Sequence, residues 1–558
     1  MSKLQMKILS SLEKCFWDDS LENKQEKNSF KMFRNERLSF QVGCRYLDNT
    51  TDIQRWAKVE LGGSLAKYAK LRMVENVPNM YPVLVHRQEG EFLRTEPGLY
   101  PDLIRPLVYP DAITLPYNQT KSLWIDIELP EDFEAGEYDI SLRILSGLKT
   151  CVGEFLGEVT GKVTVLDEEL PKQTLIHTEW FYTDCIAEYY HVKAFSEKHW
   201  KLIEKFLRTA VKNGINMILT PVFTPELDTY IGGERLTTQL VEMELLEDGT
   251  YRFGFEKLRR WVDLCLRCGV EYFEIPHFFS QWGATATPKI VVKVRGKKKK
   301  YFGWHTDSAS EEYAAFLSQF IPALLNELRE LGVDQKCYFH VSDEPHITQI
   351  ESYKRCKEMI APYLKGYPII DALSDIEFYK TGILEHPVPC TSRATVFSEA
   401  GVKNLWTYYC GGGGLSGISD RGVAMPSWRT RILGVQLYYY NIEGFLHWGY
   451  NFYNSCKSYQ RLDPYGNPDG CYFQPTGDAF LVYPGVDGEA WETLRLNALR
   501  EAMDDIGALR LYESRFGRDA TEKLILEHTE GVLNFNKYPT DPNYLINLRE
   551  RIANAFLK

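Results

Sequence analysis

The run Lys336-Cys-Tyr-Phe-His-Val-Ser-Asp-Glu-Pro-His346 sets a short β-prone segment, Tyr338 to Val341, directly before two adjacent carboxylates, Asp343 and Glu344. Pro345 ends the strand pattern, because it has no N–H for a ladder and constrains the residue before it. Upstream, Phe316, Phe320, Ile321, Leu324, Leu325 and Leu328 recur at helical spacing within Glu311 to Leu331, and Ser308-x-x-Glu311 reads as a capping box. Helix, strand, then acids at the carboxyl end of the strand is the order in which parallel α/β barrels place their chemistry. The plain alternative is a solvated turn with two surface acids, and the surrounding chain decides between them.

From Thr174 onward, strand-like and helix-like segments alternate, which predicts a parallel α/β arrangement. Eight strand-like runs stand out: Leu175–Thr178, Met217–Thr220, Tyr272–Ile275, Tyr338–Val341, Ile369–Ala372, Val388–Thr391, Leu405–Tyr408 and Gly444–His447. Between the first two, Glu197 to Lys212 is helical and stops at Asn213-Gly214. The expected architecture is a (β/α)8 TIM-type barrel over residues 169–510, closed by a helix from Leu494 to Leu509. Residues 1–168 carry short alternating runs (Leu38–Tyr46, Ser122–Glu128, Glu137–Ile144, Gly157–Leu166) separated by turn residues, which predicts an N-terminal β-sandwich. Pro97 to Pro116 reads as a long surface excursion, Leu166 to Pro171 as a linker, and 511–558 as a C-terminal helical appendage.

A chain of 558 residues is too long for one core, in keeping with several domains. The net charge, 65 − 76 = −11, argues against binding duplex nucleic acid or an anionic membrane surface. No apolar run is long enough to cross a membrane, and the N-terminus has no signal-like apolar core, so the cytoplasm is the expected location. The 12 cysteines are scattered. Cys265 and Cys268 form a C-x-x-C on an amphipathic helix, Phe255 to Cys268, but no second pair completes a zinc site; neither a metal nor a cofactor is expected. Lys297–Lys300 reads as the solvated turn of an inserted hairpin. Gly411–Gly414 lacks the Lys-Ser/Thr of a phosphate loop and is expected to be a mobile loop beside the cleft.

Function gathers where strands end. Trp180 follows the first strand, His277 the third, the Asp343–Glu344 pair the fourth, while Asp371 lies in the fifth. Trp406 and Tyr408 mark the seventh, and Trp448 and Tyr450 the eighth. Tails this rich in aromatic and acidic groups, all at one end of a barrel, describe a cleft that stacks on and hydrogen-bonds a sugar. Glycosidases usually bracket the scissile bond with two carboxylates about 5 Å apart, or roughly 6.5–9.5 Å in inverting enzymes. Neighbouring residues on one strand end cannot easily bracket a ring. They suit a substrate whose own 2-acetamido oxygen attacks the anomeric carbon, with one acid orienting the acetamide and the other moving the proton. Spacing does not say which acid takes which role.

The β-rich N-terminus, the Val-Ser-Asp-Glu-Pro-His run, Phe302-Gly-Trp-His-Thr306, and Tyr483-Pro-Gly followed by Leu494-Arg-Leu-x-Ala-Leu-Arg500 resemble glycoside hydrolase family 123, over most of the chain. The resemblance implies an exo-acting, retaining, metal-free β-N-acetylgalactosaminidase on glycans or glycosphingolipids, with a sandwich followed by a barrel. It implies that Asp343 orients the acetamide and that Glu344 is the general acid/base. Around them, Trp180, Trp406 and Trp448 are the expected stacking walls. Tyr408 or Tyr450 is the donor to the acetamide oxygen, and His277 and Asp371 bind ring hydroxyls. Two other readings compete: a metal-dependent hydrolase using Asp343, Glu344, His346 and His277, and a glycan-binding protein without activity.

Overall fold

A computed structural model of the chain describes residues 3–48, 55–84, 91–109, 111–147, 153–411 and 417–557. Ten strands form the N-terminal region: β1 (Leu4–Ser10), β2 (Ser29–Arg34), β3 (Arg37–Tyr46), β4 (Arg55–Gly62), β5 (Ala69–Asn79), β6 (Gly98–Arg105), β7 (Ala112–Leu115), β8 (Thr120–Glu128), β9 (Gly136–Ser146) and β10 (Phe155–Glu169). They make two five-stranded sheets, β1-β3-β8-β5-β6 and β2-β10-β9-β4-β7. Alternate residues supply the shared core: Phe40, Val42 and Cys44 from β3, Leu123, Ile125 and Ile127 from β8, and Ile140, Leu142 and Ile144 from β9. Each such branched side chain contributes about 1.5–3 kcal/mol by leaving water.

Two expectations need correction here. Pro97 to Pro116 is no loop excursion, since β6 and β7 lie within it as edge strands. Pro101 is tolerated because β6 is an edge, and Asp102 sits at a register shift opposite Glu75 and Asn76. The expected linker is partly strand, for β10 continues to Glu169 and pairs there with Arg34.

The second region contains β11 (Ile176–Glu179), β12 (Met217–Leu219), β13 (Glu242–Leu245), β14 (Tyr251–Gly254), β15 (Tyr272–Glu274), β16 (Ile290–Val294), β17 (Lys297–Phe302), β18 (Cys337–Tyr338), β19 (Ile370–Ala372), β20 (His386–Val388), β21 (Trp406–Tyr408) and β22 (Gly444–His447). A six-stranded sheet runs β18-β15-β12-β11-β22-β21, every pair parallel. β19 and β20 pair in parallel with each other. Single parallel bridges, Phe339 to Ile369 and Cys390 to Tyr408, join this pair to β18 on one side and β21 on the other. Each of the eight segments marked in the sequence thus meets a strand, although Tyr338–Val341 and Val388–Thr391 do so only at Tyr338 and Val388. The helix before the carboxylate pair spans Glu311–Glu330, and its N-cap is Ser310, whose hydroxyl accepts from the Tyr313 N–H, rather than Ser308.

β13, β14, β16 and β17 form a separate inserted sheet. Its lysine run is strand, not turn: Lys297–Lys300 belong to edge strand β17, and Arg295 and Gly296, with φ of 47° and 78°, make the left-handed two-residue turn. Cys265 and Cys268 are buried free thiols on helix Glu256–Cys268. Gly412–Gly414 of the glycine run lie outside the described residues.

The two regions meet across a seam of buried charge. Arg495 makes a bidentate bond to Asp102 through Nε and Nη2, both at 2.9 Å. Arg72 lies 2.5 Å from Asp126 and 2.9 Å from Glu492. Arg500 donates to the Arg37 carbonyl and to the Ser39 hydroxyl. Arg495 and Arg500 belong to the Arg-Leu-x-Ala-Leu-Arg motif, so that motif joins the two regions. The helix carrying it runs Leu494–Phe516, past the boundary drawn at 510, and the last helix, Tyr544–Asn554, returns to the sandwich through Glu550 to Lys27 and Lys31. Among the described residues no helix is long and apolar enough to cross a membrane.

Candidate active site

A cavity of about 310 Å3 opens at the carboxyl ends of the parallel strands. Asp343 and Glu344 lie in it, walled by Trp180, Tyr182, Tyr408, Leu446, Trp448 and Phe473. Its other polar groups are Asp228, Gln281, Lys457 and Gln474, with Trp282 also lining it. A larger groove of about 930 Å3 runs beside the inserted sheet but gathers none of these groups. Convergent chemistry rather than volume marks the site.

In a regular strand successive side chains point to opposite faces, so one of two adjacent carboxylates would turn away. Glu344 prevents this by adopting φ of 42°, a left-handed conformation that costs a non-glycine residue on the order of 1 kcal/mol or more. Pro345 disfavours the ordinary helical alternative. Two backbone bonds hold the turn: Glu344 N–H donates to the Ala372 carbonyl, and Trp282 N–H donates to the Asp343 carbonyl, each at 3.0 Å. The strain is what sets both acids in one cavity.

The acids have unequal surroundings. Tyr408 donates its hydroxyl to Glu344 Oε1 at 2.5 Å. Burial, and then the neighbouring charge of Glu344, push Asp343 well above the usual carboxylate range. Nearby Glu226 is 5% exposed, with both carboxylate oxygens unpartnered, and burial pushes it up to about 8. Burial likewise raises Asp228 to about 6, against a bond from the Lys457 N–H.

Both wall indoles are pinned by buried carboxylates. Trp180 Nε1–H donates to Glu274 at 2.7 Å, and Trp448 Nε1–H donates to Asp478 at 3.1 Å. Glu274 also takes the Thr178 hydroxyl at 2.5 Å and faces His340 Nε2 at 2.7 Å. The other nitrogen of His340 lies 3.1 Å from Asp371. Burial would depress this imidazole, but the bonds to Asp371 and Glu274 outweigh it and hold His340 at about 9, as a buried cation below the acids. Burial and the charge of His340 press His277 well below its ordinary value.

Of the residues picked from the sequence, Asp343, Glu344, Trp180, Tyr408 and Trp448 share the cavity; four others do not line it. Tyr450 is buried and donates its hydroxyl to the Phe206 carbonyl at 2.9 Å, so it has no proton to offer a substrate. Trp406 packs on Tyr338 and lies flat over Gly444, where an added Cβ would come within 2.0 Å of its ring. It therefore fills the interior between β21 and β22. Asp371 is fully buried and engaged by His340, by the Tyr353 hydroxyl at 2.5 Å and by the Val341 N–H. His277 is stacked on His340 at 4.3 Å, out of reach of a ring hydroxyl in the cavity. His346, offered as a metal ligand, is exposed and caps the following turn through Thr348.

One other donor set is close enough for a cation: ligand atoms of His277, His340 and Asp371 lie within 4.8 Å of one another. His340 already shares its proton with two carboxylates, so a metal there would have to displace that proton. Residues missed in the sequence come mostly from loops, namely Asp228, Gln281, Trp282, Lys457 and Gln474. His340 and Glu274 did leave a signal, as polar residues alternating with Phe339, Val341, Phe273 and Ile275, hence facing the interior.

No curated protein sequence matches the chain. Among solved structures, a family 123 glycoside hydrolase from Clostridium perfringens, studied for glycolipid glycan hydrolysis, superposes with a TM-score of 0.71 at 16% identity, covering 100% of this chain and 97% of that one. A putative β-galactosidase from Bacteroides fragilis gives 0.30 at 11% identity, over 80% of this chain and 56% of that one. The first likeness is one of fold along the whole length. The sequence profile described as glycoside hydrolase 123, catalytic domain, matches residues 180–512, which contain both acids and every wall residue of the cavity. The chain is thus a glycoside hydrolase and belongs to family 123.

Proposed function

We propose that the protein is a retaining exo-β-N-acetylgalactosaminidase that uses the substrate's acetamido group as its nucleophile. We read its ring of parallel strands as a (β/α)8 barrel. The observation that carries the mechanism is the left-handed turn at Glu344, which puts two adjacent acids in one cavity between pinned indoles. Acids so placed serve one side of a sugar ring and leave the attack to the substrate.

In this reading the pair shares one proton. Asp343 is the acid pushed up, while Glu344 accepts the Tyr408 hydroxyl. An acetamide N–H donated to Asp343 favours its ionised form and passes the proton to Glu344, where the leaving oxygen needs it. Tyr408 is then free to donate to the acetamide oxygen as that oxygen attacks the anomeric carbon. The bond to the leaving group breaks as Glu344 protonates it, and Asp343 balances the charge of the oxazolinium. Water then adds at the anomeric carbon, giving its proton to Glu344, with net retention. Trp180 and Trp448 frame the ring, and contacts to its hydroxyls fall to Asp228, Gln281 and Gln474. Glycolipid glycans, whose hydrolysis was studied in the Clostridium perfringens relative, are the proposed natural targets, glycosphingolipids among them.

The test pairs β-GalNAc and β-GlcNAc aryl glycosides and adds GalNAc-thiazoline, a mimic of the oxazoline. Preferential release of GalNAc and strong inhibition by the thiazoline are expected. Equal release of both sugars would remove the galacto assignment, and indifference to the thiazoline would remove the acetamido nucleophile.

A further inference from the structure

We propose that an aromatic track leading out of the cavity binds the leaving side of the glycan, with the first sugar beyond the cleaved bond on Trp282 and the next on the Tyr230–Tyr459 stack. The inference rests on the glycosidase reading above and extends it from the terminal sugar to the rest of the chain being cut.

Trp282 lines the cavity yet is 40% exposed, unlike the buried indole of Trp180. Its φ of 57° is unusual for so large a side chain, and its backbone is tied on both sides: its N–H to the Asp343 carbonyl, its carbonyl to Gln349 Nε2 at 2.8 Å. Strain fastened to the catalytic turn fixes this indole relative to the acids. Lys457, also left-handed at φ 53°, holds its ammonium 5.7 Å from the Trp282 ring centre. The Lys457 carbonyl accepts from Tyr230 N–H at 3.0 Å, and Tyr230 stacks on Tyr459 at 4.5 Å and 10°. Tyr459 is 67% exposed, so this second ring pair faces solvent two residues from Lys457. Segments after three different strands, β12, β15 and β22, thus converge on Lys457, which links the Trp282 ring in the cavity to the exposed tyrosine pair.

The chemistry of the track fits a carbohydrate rather than an acyl chain. Polar groups, Asp228 and Lys457, are interleaved with the rings, and sugars present both an apolar face and hydroxyls. A lipid chain would leave those groups unpaired. The track is also continuous with the cavity that holds the reacting bond.

The experiment compares Trp282→Ala, Trp282→Phe and Tyr459→Ala on β-GalNAc-terminated di- and trisaccharides, and measures inhibition by GalNAc-thiazoline, which fills only the terminal-sugar site. Trp282→Ala is expected to lower kcat/KM on both glycans roughly 10- to 100-fold, the scale of a lost aromatic anchor, with Trp282→Phe recovering much of it. The thiazoline inhibition constant should move less than about threefold, the margin within which truncation leaves a contact untouched. Tyr459→Ala should weaken only the trisaccharide. Equal losses for thiazoline and glycans would show that Trp282 supports the inner site and overturn the track, as would unchanged glycan cleavage. If Tyr459→Ala instead weakens sedimentation with phosphatidylcholine vesicles and spares the trisaccharide, the surface is a lipid contact and the proposal falls. Wild-type protein that cleaves neither glycan would sink the β-GalNAc assignment itself, and this extension with it.

Discussion

Charge is buried in two places in this protein, and the two places treat it differently. Along the seam these arginines meet anions: Arg495 with Asp102, Arg72 with Asp126 and Glu492, Arg500 with Asp504. Burial alone would raise Glu492, but Arg72 and Arg37 outweigh it and hold this acid well below its usual range. In the cleft, acids crowd acids. Asp343 and Asp228, which line the cavity, and Glu226, near enough to raise Asp343, are all pushed upward, chiefly by burial. Matched charge orients two bodies, and mismatched charge stores protons.

The largest expected effect breaks the cleft. Glu344→Ala should lower kcat/KM on sugar leaving groups by roughly 10^2–10^4, the usual worth of a general acid, and far less on activated aryl glycosides. Asp343→Asn should lower both classes alike, because the acetamide is then misheld; steady-state rates on the paired substrates check this.

Breaking the seam comes next, and it acts on stability. Asp102→Ala leaves the Arg495 guanidinium buried without its counterion, which should cost about 3–5 kcal/mol in urea unfolding.

The pH dependence sharpens the contrast, since the two regions carry opposite signs. The raised pKa of Glu226 means that the folded state holds this proton more tightly than the unfolded chain. Its stabilisation is full below the usual 4.5 and is lost as pH rises through about 8. Glu492 is depressed, so its contribution is present above 4.5 and is lost as pH falls through the lower folded value. Glu226→Gln should therefore flatten the alkaline fall in stability by on the order of a few kcal/mol and leave the acid limb intact. Thermal unfolding from about pH 2 to 9 reads both limbs.

The smallest expected effect is on stability. Glu344→Gly should lose acid catalysis as Glu344→Ala does, yet raise folding stability by about 1 kcal/mol, because glycine adopts the left-handed turn without penalty. A loss of stability in calorimetry would show that the turn is not under strain.

Much of this was legible in the sequence, and the rest was hidden for identifiable reasons. Alternation revealed the sandwich strands, the strand–helix rhythm revealed the parallel ones with the bounds of β18 and β20 misplaced, and position after a strand revealed the acid pair. Register within short strands was not legible. Trp406 and Trp448 look equivalent as aromatic residues near strand ends, yet Trp406 begins β21 and faces the interior, whereas Trp448 follows β22 and reaches the cavity. Tyr450 and Asp371 were misplaced because their partners, the Phe206 carbonyl and His340 with Tyr353, come from two helices and the segment after β18, which no local pattern names. Trp282 and Lys457 lie on loops without periodicity. The motif Arg495 to Arg500 stood out for its regularity, and its work proved to be joining rather than catalysis.

That joining has a consequence for how the chain avoids sticking to its own copies. Strand β6 is an outer strand of its sheet, with backbone groups available for pairing on its free side. Leu103 bridges to Thr493, and the Ile104 N–H donates to the Glu492 carbonyl at 2.8 Å, so the catalytic half covers this side. An uncovered strand of this kind is an adhesive template for other chains. The hydrolase half is therefore also the sandwich's guard against aggregation, and a cut between the halves would free a sticky edge in one fragment and buried arginines in the other.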